Sequence, residues 1–119
     1  MKYALLIYSD ESTMAGAPEE AIREMYAAFA GFNNELRAAG KMGPAEELAS
    51  AAKAKSVRIR DGQRLITDGP FAEVREQLGG LYIIEADSID EAVDWAAKIP
   101  SAPFGTIEVR PVVDYPEAG

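Results

Sequence analysis

The chain contains no cysteine and no histidine. Without cysteine there are no disulfides, no thiolate-held zinc or iron–sulfur cluster, and no thiol nucleophile. Without histidine the commonest metal ligand and the commonest general base near neutral pH are missing, and a Ser–His–Asp triad cannot be assembled. The glycine-rich dinucleotide fingerprint, the Walker string and EF-hand spacing do not occur. No apolar run approaches the ~20 residues of a membrane span. The short apolar run behind Met1 is not followed by a small-residue cleavage site, so it reads as a first strand and not a signal peptide. A soluble cytoplasmic protein with no membrane contact, no metal and no cofactor is the expectation.

Basic residues are also scarce. Twelve Lys and Arg face twenty Asp and Glu, leaving a formal charge of −8. Direct nucleic-acid binding needs a basic footprint, and this balance argues against it. What remains is globular in composition: 119 residues, 48% hydrophobic and 27% charged. That length fits one domain over 1–119.

Residues 3–8 (YALLIY) are apolar on both alternating faces: Tyr3, Leu5 and Ile7 on one, Ala4, Leu6 and Tyr8 on the other. A strand wetted on one face would alternate polar and apolar, so this strand is predicted to be covered on both sides. Residues 9–17 form a polar loop. Pro18, Glu19 and Glu20 suit a helix start, and Ile22, Met25, Tyr26, Phe29, Asn33 and Leu36 make a nearly apolar stripe at helical spacing, with Phe32 beside it. Gly40 suits the stop, so the spacing predicts a helix over 18–39. Gly43-Pro44 breaks the chain, and 46–49 reads as a short strand.

Residues 56–60 and 63–67 flank Asp61-Gly62, the signature of a two-residue type I′ hairpin turn. Pairing across that turn sets Arg60 opposite Gln63, Arg58 opposite Leu65 and Val57 opposite Ile66. Asp68-Gly69-Pro70-Phe71 is a constrained loop. Leu81 to Ile84 is a second doubly apolar strand. Ser88 with Glu91 forms a capping box ahead of a helix carrying Ile89, Ala92, Val93, Ala96 and Ile99 and ending before Pro100. The last strand, 105–113, points Ile107 and Val109 one way and Thr106, Glu108 and Arg110 the other. The order of elements suggests split βαβ units, the ferredoxin-like plan with an added β-hairpin. Two helices cover one face of such a sheet. The doubly apolar strands leave the other face needing a partner, and the simplest partner is a second copy, a homodimer with its sheets packed face to face. The expected site is the hollow left by that stacking.

Asp68, Glu73, Arg75 and Glu76 are the densest polar cluster beside the Gly-Pro turn. A carboxylate against an apolar wall can serve as a general acid or base, and a strand-end turn can aim Asp68 into a cleft; the alternative is an Asp that caps the turn. Arg75 and Glu76 read as solvated or ion-paired. Between 53 and 64 there are five basic residues, Lys53, Lys55, Arg58, Arg60 and Arg64, against one acid, Asp61. This patch could hold an anionic ligand through bidentate Arg donors, dock on an acidic partner, or neutralise surplus acids. Arg58, in mid-strand, is the preferred anchor. Glu108 and Arg110 share a face and suit a pocket wall or a structural pair. Tyr8, Tyr82 and Trp95 suit a pocket lining or a core.

The string from Asp68 to Gly80, DGPFAEVREQLGG, resembles the signature of the YCII-related family, and within it the DGPF-type subgroup whose usual string is DGPFAETKE. Val74 replaces Thr and Arg75 replaces Lys. Further matches are Met1-Lys2-Tyr3 to Tyr8, Val57-Arg58, Trp95-Ala96 to Pro100, and Gly105 through Glu108-Val109-Arg110-Pro111. The resemblance implies a ferredoxin-like fold dimerising into an α+β barrel. It implies either a small-molecule enzyme or an accessory protein tied to transcription initiation through a sigma-factor partner. Broader relatives carry a His–Asp pair that has no counterpart here. On the first reading Asp68 is the acid or base, Arg58 anchors a small anionic or carbonyl ligand, and Tyr8, Glu73, Arg75, Glu108 and Arg110 help to line the site.

Overall fold

The protein is described by a computed structural model over residues 1–72 and 74–116. Strand β1 (Lys2–Ser9) lies at the heart of a four-stranded antiparallel sheet. A one-turn helix α1 (Glu11–Met14) and a long helix α2 (Glu19–Ala38) follow, then strand β2 (Met42–Glu47). Strands β3 (Lys55–Arg60) and β4 (Gln63–Asp68) form a separate two-stranded sheet. Strand β5 (Gln77–Glu85), helix α3 (Ile89–Ala97) and strand β6 (Thr106–Pro111) complete the chain. The main sheet runs β2-β5-β1-β6. With β3 and β4 set aside, that is the strand order of a ferredoxin-like α+β fold, in agreement with the split βαβ reading.

The core lies between the sheet and the two longer helices. Tyr3, Leu5, Tyr82 and Ile84 from the sheet bury against Phe32 and Leu36 of α2 and Ala92, Ala96 and Ile99 at α3. Phe32, set beside the stripe in the sequence reading, is a core residue: positions 25, 29, 32 and 36 are themselves an i, i+4, i+7, i+11 series. Its ring stands edge-on to Tyr82 at 5.3 Å and to Trp95 at 6.3 Å. On α3, Ile89 and Val93 are exposed, so that stripe is narrower than its apolar residues suggest.

Local chemistry explains the boundaries. Gly40 takes φ +70°, and the Lys41 N–H returns to the Leu36 carbonyl at 2.9 Å, closing α2. Ser88 Oγ accepts from the Glu91 N–H at 3.1 Å, while the Glu91 carboxylate reaches back to the Asp87 N–H at 2.8 Å. Gly43-Pro44, read as a break, is part of an edge strand. Pro tolerates that position because one side of the strand has no ladder, and a Cβ on Gly43 would run into the Ile83 carbonyl oxygen.

The hairpin follows its sequence. Asp61 and Gly62 both have positive φ, at 52° and 75°, and the register pairs Arg60 with Gln63, Arg58 with Leu65 and Val57 with Ile66. Among the described residues these two strands pair only with each other. The molecule is accordingly extended, with a radius of gyration of 16.7 Å, against roughly 13–14 Å for a compact chain of this length.

Candidate functional site

The two faces of the main sheet differ. Its helix side carries Tyr3, Leu5, Ile7, Ile107 and Val109, as the alternation requires. Its other side carries Ala4, Leu6, Leu81 and Ile83, half-buried and, among the described residues, uncovered by any helix, with Tyr8, Thr106, Glu108 and Arg110 toward the β6 edge.

A cleft of about 350 Å³ opens on the helix side of the sheet. Its floor is Ile7, Gly80, Tyr82 and Ala45, and its roof is Met25, Tyr26, Phe29 and Asn33 from the first part of α2. Met14 of α1 and Ser101 and Phe104 ahead of β6 close the sides. The cleft exists because α2 is seated deeply only through Phe32 and Leu36; toward its N-terminus Ile22, Met25 and Phe29 are only partly covered.

The polar groups in the cleft are few. The Tyr82 phenol donates to Asn33 Oδ1 at 2.5 Å, and burial raises the Tyr82 pKa above its ordinary value. At the rim Tyr26 donates to Glu47 Oε1 at 3.0 Å, and that hydrogen bond, reinforced by the carboxylate charge, raises the Tyr26 pKa too. Ser101 Oγ is buried without a hydrogen-bond partner among the described residues. Among the described residues the lining includes Glu46 and Glu47 but no Lys or Arg. The lining is mostly apolar, with a few convergent hydroxyl and amide groups.

Of the residues singled out from sequence, Tyr82 lines the cleft and the charged candidates lie elsewhere. Asp68 ends β4 with its side chain 86% exposed, paired with Lys55 Nζ at 2.5 Å. Arg58 lies on the opposite face of the hairpin, its guanidinium 4.3 Å from the centre of the Phe71 ring. Asp68 and Arg58 are therefore not brought together, and neither lines the cleft. Arg75 is exposed and reaches Asp10 Oδ2 at 3.9 Å. Asp10 itself caps α1 through the Ser12 N–H at 3.0 Å and the Ser12 hydroxyl at 2.6 Å, and those bonds hold its carboxyl below the usual range. Glu76, read as solvated or ion-paired, has one buried carboxylate oxygen without a hydrogen-bond partner among the described residues. Glu73 lies outside the described residues.

Tyr8, Glu108 and Arg110 do gather, on the uncovered sheet face. Tyr8 donates to Glu108 Oε1 at 3.3 Å. Its pKa is raised by burial first and by the Glu108 charge second, with Arg110 opposing. Of the three aromatic candidates only Tyr82 lines the cleft; Trp95 packs on Phe32 and points its indole N–H at Glu91 Oε2, 3.4 Å away. The sequence reading missed Asn33 as a site residue, along with Ser101, Ala45 and Phe104. The one available signal was Asn33, a polar residue on an otherwise apolar helical stripe.

Among the described residues no group of three carboxylates is placed to hold a metal ion, and no helix is long and apolar enough to cross a membrane. Fold and site define a mixed α+β protein with antiparallel sheets and one apolar cleft between sheet and helix. The sequence profile of the YCII-related domain matches residues 1–116. A protein of Rhizobium meliloti (strain 1021), itself uncharacterised, is 37% identical over 117 residues, which cover 97% of this chain and 94% of the relative. The chain belongs to the YCII-related family.

Proposed function

We propose that this protein binds a small, uncharged, largely apolar molecule bearing a carbonyl or hydroxyl group, held in the cleft between α2 and the sheet. The Asp68–Phe71 string supports a place in the DGPF-type subgroup. The observation that carries the reading is Ser101: its hydroxyl is buried at the cleft and bonds to nothing among the described residues. A buried donor left unmade costs about 1–3 kcal/mol, and a ligand oxygen would recover that cost. Carboxylates at the rim and the lack of a lining cation disfavour the anionic ligand inferred from the Arg-rich hairpin and leave the carbonyl class. The protein works as a homodimer packed through the uncovered face, where Ala4, Leu6, Leu81 and Ile83 would otherwise meet water.

The test uses 1-naphthol, a neutral hydroxyl-bearing bicycle small enough for the cleft, titrated into the wild type and Ser101→Ala. The variant is expected to bind about tenfold more weakly while keeping or gaining thermal stability, because no intramolecular bond is lost. Equal affinity in the two proteins, or no binding to either, overturns the reading.

A second reading, an accessory protein that docks on a sigma factor, draws on the exposed basic hairpin. It requires a stoichiometric complex with purified sigma factor that Arg58→Ala weakens.

A further inference from the structure

The β3–β4 hairpin is amphipathic and uncovered. Its register puts Val57, Ile59 and Ile66 on one face, with Arg64 and the paired Lys55 and Asp68, and puts Arg58, Arg60, Gln63, Ser56, Thr67 and Leu65 on the other. Every residue of β4 is exposed, as are all of β3 except Ser56. Val57, Ile59 and Ile66 are 58%, 59% and 51% exposed. An isolated two-stranded sheet is marginally stable at best in water, and an apolar face on such a sheet implies a surface to cover it.

The hairpin is nonetheless held in a fixed posture at its root. The Gly69 N–H donates to the Ala54 carbonyl at 2.7 Å, and the Ser56 hydroxyl donates to the Gly69 carbonyl at 2.9 Å. Arg58 over the Phe71 ring braces the basic face against the loop that follows β4. This is an arm with a set direction.

Charge identifies the occupant. Residues 53–64 hold five basic residues against one acid, whereas the rest of the chain holds seven against nineteen. Bodies that acidic repel each other, and the one strongly basic element in the chain is the arm. An arm laid on the body of another copy brings opposite charges together, and two copies can do this to each other around one twofold axis.

We infer that the β3–β4 hairpin clasps a second copy of this chain, covering Val57, Ile59 and Ile66 against it and setting Arg64 of the same face on its acidic surface, with Arg58 and Arg60 of the outer face adding only longer-range attraction. The inference rests on the homodimer proposed above and adds which element holds it together.

Sedimentation of the full chain across the micromolar range tests it. Wild type is expected to be a dimer whose association weakens with added salt, because attraction between unlike charges is screened. Val57→Lys with Ile66→Lys is expected to weaken association on the order of a hundredfold. Gln63→Lys with Thr67→Lys, on the other face, is expected to leave it within about threefold. Arg64→Glu, on the apolar face, keeps Val57 and Ile66 and therefore separates docking from formation of the hairpin; it is expected to weaken the dimer and reduce its salt dependence. A monomeric wild type, including one that associates only with a different protein, overturns the inference together with the homodimer. A wild-type dimer that salt strengthens, or that Val57→Lys with Ile66→Lys leaves equally tight, overturns the arm and leaves sheet-face pairing standing. The naphthol titration reads the cleft independently of either.

Discussion

The Tyr82 phenol and the Asn33 side-chain carbonyl, 2.5 Å apart, join the middle of β5 to the C-terminal half of α2. Past this bond the helix sinks into the core through Leu36; before it, Phe29 and Met25 stand over an open cleft. The bond therefore marks the inner end of the site.

Replacing Tyr82 by Phe keeps the ring against Phe32 and removes the hydrogen bond. The expected loss is about 1–2 kcal/mol, because Asn33 Oδ1 is left without its donor in a part-buried place. The raised pKa of Tyr82 adds a pH signature. A phenol whose folded pKa lies above its unfolded value contributes stability present below the unfolded value and lost as pH rises through the folded one. Wild type should lose more stability than Tyr82→Phe on going above the ordinary tyrosine value of 10.0. Denaturant midpoints on the two proteins check both statements, and parallel alkaline losses would contradict the second.

Asp68→Asn separates the cleft from the hairpin loop. The Asp68–Lys55 pair is mostly exposed, and such pairs contribute about 0–1 kcal/mol. The variant should bind 1-naphthol as wild type does and lose at most that much stability. A large loss of binding would return Asp68 to the site and argue for the acid/base role first assigned to it.

Glu91 organises the start of α3. Its carboxylate accepts from the Asp87 N–H, pairs with Lys41 Nζ at 3.3 Å and accepts from the Trp95 indole. The Asp87 bond is the main cause of its lowered pKa, with Lys41 and Trp95 adding to it. A depressed carboxyl contributes stability above its unfolded pKa that disappears as pH falls through the folded one. Melting temperatures should therefore fall below the ordinary value of 4.5, less steeply in Glu91→Gln than in wild type. Identical acid slopes would contradict this role.

Much of the fold was legible because local rules and tertiary packing agree. Asp61-Gly62 specified both turn and register, alternation in 3–8 and 105–113 specified the faces, and Gly40 and Ser88 specified helix ends. Edge strand β2 was obscured because Gly43 and Pro44 are turn residues by composition, and only an unpaired edge lets them be strand. The cleft was not legible, because its walls come from segments far apart in the chain and its depth depends on how α2 tilts over the sheet. Asp68 drew attention through its neighbours in sequence, yet the hairpin carries it away from the cleft. Arg58 was rightly placed in mid-strand beside Leu65, and its guanidinium lies over the Phe71 ring.

The cleft itself is tested most directly by two-dimensional NMR during a 1-naphthol titration of wild type and of Ala45→Phe. Ala45 lies opposite Tyr82 on the floor, so a phenyl ring there fills the space a ligand would take. In wild type, resonances of Ile7, Phe29, Asn33, Tyr82 and Ser101 should shift together, those of Leu6 and Ile83 should stay in place, and Ala45→Phe should abolish the response while remaining folded. Shifts confined to Leu6, Ile83 or the hairpin, or an undiminished response in Ala45→Phe, would contradict the account.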